Sequence, residues 1–179
     1  MILVISSFTS TLPMVSKRFV LPGHRFCPHI IIKSELLSTS IMIYFSSEDL
    51  DIPIYITQRT SDWIVRVIHD FGKQVGELRF IFCRDEFLYN INVNFLNHNT
   101  YTDIITFDTS ENPGFITGEL FISLDRVREN AINIGQSIEN ETFRVMIHGV
   151  LHLLGYKDKL ASDILEMRTQ EEKCLSLLP

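Results

Sequence analysis

Residues 148–158 read His148-Gly149-Val150-Leu151-His152-Leu153-Leu154-Gly155-Tyr156-Lys157-Asp158. His148 and His152 are i and i+4, so on a helix both imidazoles leave one face and can share one ion. The surrounding helix is apolar nearly all round: Phe143, Val145, Met146, Ile147, Val150, Leu151, Leu153 and Leu154. Such a helix is a buried central element, and two histidines inside it need partners. Two packed core histidines are the plainer reading of the pair. Gly155 and Asp158 favour a metal. Glycine tolerates the left-handed conformation that ends a helix, and the chain can then turn back to deliver Asp158 as a third ligand. Two imidazole nitrogens and a carboxylate oxygen suit one zinc ion, with a fourth position open for water.

The frame H-x-x-x-H-x-x-G-x-x-D is also that of metzincin proteases, which need glutamate directly after the first histidine as general base. Here that place holds Gly149, which cannot move a proton, so a zinc peptidase is disfavoured.

Working outward, Asn140 is read as the cap of the histidine helix, which runs to about Leu154, and Ala161–Leu177 as the last helix. Asp125–Ile134 is helical and stops at Gly135. Phe115–Leu124 is a strand interrupted at Gly118, and Asp103–Phe107 another, with the turn-rich segment Thr109–Gly114 between them. Asp85–Leu96 is a helix with Phe87, Leu88, Ile91 and Phe95 spaced for burial. Glu77–Cys83 alternates as a strand, Leu78, Phe80 and Phe82 on one side, Arg79 and Ile81 on the other. Thr60 or Ser61 can cap a helix over Asp62–Lys73 that buries Trp63, Val67, Ile68 and Phe71; Gly72 and Gly76 mark its end. Met42–Phe45 is a short strand. The expected fold is α+β: about four strands packed by roughly five helices, with the metal site at the end of the buried central helix.

The first 41 residues differ. They hold ten Ser/Thr, three prolines and five charges, and sustain no helical or strand period. They make a poor signal peptide, having no basic start and no cleavage pattern. Two readings stand: an appended tail, or residues upstream of a true start at Met42. Either way the domain division is 1–41 as an extension outside the fold and 42–179 as the folded domain.

With 179 residues the chain is long enough to bury a core without staples. No apolar run approaches the roughly 18 residues of a membrane span. The net charge of −6 argues against coating nucleic acid by bulk electrostatics, though not against a local basic groove. Cys27, Cys83 and Cys174 are scattered and odd in number, which argues against a disulfide framework and fits a reducing, cytoplasmic setting.

The chain resembles the YbeY family, bacterial rRNA maturation factors that act as metal-dependent single-strand endoribonucleases. The family signature H-G-x-L-H-L-x-G-Y-D-H is matched from His148 through Tyr156. Thr102-Asp103-Ile104-Ile105-Thr106-Phe107 resembles its T-[DN]-V-[LI]-S-F strand, and Gly118-Glu119-Leu120-Phe121-Ile122-Ser123 its G-D-I-x-I-S strand. The resemblance covers Met42 to the C-terminus. It implies an endoribonuclease acting in 16S rRNA 3′-end maturation and ribosome quality control, with one zinc ion and with His148, His152 and Asp158 as catalytic and metal-binding residues. Its implied partners are RNA and the small ribosomal subunit. The rival from another class is a ribosome-assembly factor that holds zinc and does not cut.

Two departures matter. The family's third histidine falls at Asp158, a hard anionic donor that still ligates zinc. The family's arginine, six residues before the T-[DN] pair and assigned to RNA binding or cleavage, falls at Leu96. Its loss implies weaker nuclease activity or a nearby substitute such as His98. Lys157 and Lys159 are candidate phosphate contacts, or solvated surface lysines. Asp103 lines the cleft or, as preferred, bonds its own turn. Glu119 supports a metal-bound histidine or faces solvent. Trp63 is assigned to the core, and Arg126 and Arg128 to an exposed helix face.

Overall fold

The computed structural model describes residues 4–5, 30–34 and 41–179. Six strands and five helices follow in the order β1 (Val4–Ile5), β2 (Ile30–Ser34), β3 (Ile41–Ser47), α1 (Gln58–Asp70), β4 (Gln74–Cys83), α2 (Asp85–Leu96), β5 (Ile104–Asp108), β6 (Phe115–Ser123), α3 (Leu124–Ile134), α4 (Ile138–Leu153) and α5 (Ala161–Leu175). The strands form one mixed sheet in the order β1-β5-β6-β4-β3-β2. β3, β4 and β6 run parallel, and β5 returns antiparallel to β6 through the turn at 109–114. This is the expected α+β architecture. The four expected strands are its centre. β1 and β2 add to the two edges, and they come from the segment that the sequence reading placed outside the fold. The rest of residues 1–40, Cys27 included, lies outside the described residues.

The two faces of the sheet follow from the period of two in its strands. Leu78, Phe80 and Phe82 of β4 join Ile43, Phe45, Ile104, Leu120 and Ile122 in a large core under α1 and α4. Ile81 points the other way and meets Cys83, Ile105 and Phe121 under α2, which contributes Phe87, Leu88 and Ile91. α4 lies deep in the molecule: every residue from Val145 to Leu153 is buried. Each fully buried apolar side chain there is worth about 1.5–3 kcal/mol, so tertiary packing holds this helix more than its own propensity.

Several boundaries differ from the sequence reading. α1 starts at Gln58, not Asp62; Thr60 and Ser61 are buried inside it, and Thr60 Oγ1 accepts from the Thr57 N–H at 3.1 Å. Gly76 lies within β4, where the register against β6 shifts between Val75 and Leu78. Gly118 does not interrupt β6. A methyl there would sit 2.6 Å from the Phe107 carbonyl oxygen and 3.1 Å from Leu153, so glycine lets strand and helix close together. α4 is capped by Ser137, whose Oγ accepts from the Asn140 N–H at 3.0 Å, rather than by Asn140. Phe95 is more exposed than expected, resting edge-on against Phe107 at the rim. α5 ends at Leu175 instead of Leu177.

Candidate metal centre

α4 ends as its sequence requires. The N–H groups of Gly155 and Tyr156 turn back to the carbonyls of His152 (2.9 Å) and Leu151 (3.0 Å). Gly155 takes φ +99°, a conformation that side-chain-bearing residues rarely adopt. The reversed chain carries Asp158 back over the helix. His148 Nε2 and His152 Nε2 lie 2.9 Å apart, and Asp158 Oδ2 lies 3.9 and 3.8 Å from them. The two histidines are only 6% and 4% exposed. The three residues named from sequence thus come together, the one such cluster of three or more among the described residues.

The outer nitrogens show what the inner ones can do. His152 Nδ1 lies 2.9 Å from the Tyr156 carbonyl oxygen, which only accepts, so Nδ1 carries the proton. His148 Nδ1 contacts Glu171 Oε1. Burial alone would raise the Glu171 carboxyl; hydrogen bonding and charge from His148 and Arg144 outweigh it and hold it below the usual carboxylate range. That carboxylate likewise accepts. With each Nδ1 facing an acceptor, the two Nε2 atoms turn inward and face each other across 2.9 Å beside a carboxylate oxygen. A cation held there would take one donor atom from each of the three residues. Tetrahedral zinc with bonds of about 2.0–2.2 Å keeps its ligand atoms roughly 3.3–3.6 Å apart, and the three separations here straddle that range. Burial first, then the charge of His148, lowers the pKa of His152 and keeps it a neutral ligand; its carbonyl partner and the nearby Asp158 and Glu171 offset this in part.

Gly149 has a steric reason. A methyl at this position would lie 2.5 Å from Leu120 Cδ2 and 2.6 Å from Ile104 Cδ1. The helix face one residue after His148 is pressed on the sheet, where no base could reach an ion held by the histidines.

Other residues singled out from sequence fall as follows. Lys157 and Lys159 flank Asp158 and are exposed. Asp103 does not bond its own turn; its Oδ2 accepts from Asn130 Nδ2 at 3.2 Å and lies 3.8 Å from Arg144 Nη2. Glu119 faces Arg79 at 4.0 Å on the sheet, and the carboxylate beside a histidine is Glu171 instead. Leu96 packs on the smaller core, and His98 is half-buried outside the cluster. Trp63 is core, its Nε1 donating to the Cys174 carbonyl at 2.9 Å. Arg128 is exposed as expected. Arg126 is not a free surface residue: it bonds Asp85 at 2.8 Å and lies over the Tyr101 ring.

Sequence reasoning missed Glu171 and Arg144. Both carried a signal. Glu141, Arg144, His148 and His152 follow at helical spacing and form one polar stripe on an apolar helix. Glu171 interrupts the buried stripe of Met167 and Cys174 on α5.

Residues 44–179 match the family model described as Endoribonuclease YbeY. Curated relatives of the same name include one from Porphyromonas gingivalis, 45% identical over 136 residues, covering 76% of this chain and 89% of that protein. Another, from Flavobacterium psychrophilum, is 46% identical over 138 residues, covering 76% and 96%. The solution structure of a Thermotoga maritima protein shares the fold, with a TM-score of 0.52 and 24% identity over 68% of this chain and 79% of that one. Matched over three quarters of its length and through the histidine helix, the chain belongs to the endoribonuclease YbeY family.

Proposed function

We propose that this chain is a zinc-dependent endoribonuclease that hydrolyses phosphodiester bonds of single-stranded RNA, in the cytoplasm, on the 3′ end of 16S rRNA in the small ribosomal subunit, and in ribosome quality control. The observation that carries the reading is the convergence of His148 Nε2, His152 Nε2 and Asp158 Oδ2 in a chain of an endoribonuclease family. Those three residues would hold the ion. When bound, zinc supplies an acidified water and a positive charge to polarise a phosphoryl oxygen. The chain's part is to keep both Nε2 atoms unprotonated through the Glu171 and Tyr156 contacts, and to leave the ligand loop at the surface. Lys157 and Lys159, exposed on either side of Asp158, meet the backbone phosphates that approach it. Among the described residues no helix is long and apolar enough to cross a membrane.

Leu96 in place of an arginine favours a second reading, an assembly factor that holds zinc and binds rRNA without cutting. One experiment separates the two. Purified protein is incubated with single-stranded rRNA, zinc-loaded and after chelation. Cleavage that depends on the metal is expected. Stoichiometric zinc with RNA binding and no cleavage would replace the enzyme by the assembly factor.

A further inference from the structure

Glu171 is a carboxylate in a place built for apolar side chains. α5 buries only Met167, Glu171 and Cys174, and Glu171 is 5% exposed. An ionised group so placed costs several kcal/mol unless it is well paired. Its two oxygens are divided between two partners on α4. Oε1 contacts His148 Nδ1, and Oε2 lies 3.4 Å from Arg144 Nη1. Arg144 is itself fixed: Glu141 takes its Nε and Nη2 at 2.7 Å each, and Asp103 stands 3.8 Å away on the other side. One turn of α4 therefore presents Arg144 and His148 side by side to a single acid on α5.

We propose that Glu171 is a positioning residue for the metal centre, holding His148 in the Nδ1-protonated tautomer with its Nε2 turned to His152 and Asp158, while Arg144 orients the Glu171 carboxylate. This rests on the metal reading above. A plain staple between α4 and α5 would need only the Arg144 pair. The geometry instead spends one oxygen on the outer nitrogen of a ligand. It also makes the two histidines unequal, since His152 has a neutral carbonyl behind it where His148 has a carboxylate. A carboxylate behind a ligating imidazole raises its basicity and fixes its ring, so His148 is the stronger donor of the pair.

The test uses the full chain stripped of metal. Zinc affinity is measured by competition with a chromophoric chelator, and the imidazole tautomers of the metal-free protein by nitrogen-15 NMR. Glu171→Gln keeps the size and an acceptor but loses the charge. Glu171→Met removes the acceptor. Removing such a partner costs about 10–100-fold in metal affinity; the glutamine variant should fall at the low end and the methionine variant at the high end. His148 should be Nδ1-protonated in the parent and move to the Nε2-protonated form in the methionine variant. Glu172→Gln, exposed one residue on, should change neither reading. Parent-like affinity and tautomer in both Glu171 variants would overturn the proposal and leave Glu171 a staple. If the methionine variant does not fold, the affinity of the near-isosteric glutamine variant decides alone. A parent that binds no zinc would overturn the metal reading itself, a result distinct from variants that bind like the parent.

Discussion

His148 and His152 differ from two packed core histidines in what their outer nitrogens do. Each Nδ1 is occupied by an acceptor, and each Nε2 faces the other and Asp158. His148→Ala or His152→Ala should therefore strip zinc, and Asp158→Ala should weaken it, as read by elemental analysis of the purified variants. Asp158→His should keep it, because imidazole and carboxylate each donate one atom to a tetrahedral ion. With one negative ligand charge fewer to offset the ion, the pH profile of RNA cleavage should move to lower pH. Loss of zinc from the histidine variant alone would show that Asp158 does not stand in for a histidine. Gly149 makes a second prediction at this scale. Glycine here reads from sequence only as an absent base, whereas the structure shows a contact with the sheet. Leu120 and Ile104 are fully buried and have little room to give, so Gly149→Ala should cost about 1–3 kcal/mol of stability in urea unfolding. The ligands were legible because they sit at helical spacing within one short segment. Glu171 and Arg144 were not, because their meeting depends on how α5 docks on α4, which no local pattern states.

Elements were easier to find than their ends. α2 coincides with its sequence reading because acidic residues open it and Asn97, in the left-handed region, closes it. β4 was clear in its second half, where Leu78, Phe80 and Phe82 alternate with Arg79, and obscure at Gly76, where a register shift hides the strand. The starts of α1 and α4 were displaced because each has several residues able to cap it. At α4 the choice between Ser137 and Asn140 has a measurable consequence. Ser137 Oγ satisfies a free backbone N–H, whereas the Asn140 side chain makes only a 3.5 Å contact with Gln136. Ser137→Ala should lower stability by about 1 kcal/mol, and Asn140→Ala by clearly less. Equal losses in thermal unfolding would return the cap to Asn140.

At the scale of the whole molecule, the open question is where the domain begins. Residues 42–179 carry 12 Lys/Arg and 21 Asp/Glu, since Lys17, Arg18, Arg25, Lys33 and Glu35 fall before them. The family model matches residues 44–179, and matches of similar length, 136 and 138 residues, cover 89% and 96% of the relatives from Porphyromonas gingivalis and Flavobacterium psychrophilum. Against this stand β1, two residues beside β5, and β2, five residues beside β3, both at sheet edges. Edge strands add backbone hydrogen bonds, each worth about 0.5–1.5 kcal/mol net, and they shield the next strand from other chains. Losing them uncovers β3 and β5 and takes β2 away from α1, while α4 keeps its seat on β5 and β6. A chain beginning at Met42 should therefore fold, bind zinc like the full chain and melt within about 10 °C of it, given a few degrees per kcal/mol for a domain of this size. Uncovering β3 should show first as association at high concentration, measurable by light scattering, before it shows in the melting midpoint. A larger fall in the midpoint, or loss of zinc, would place residues 1–41 inside the fold as part of the sheet that carries the site.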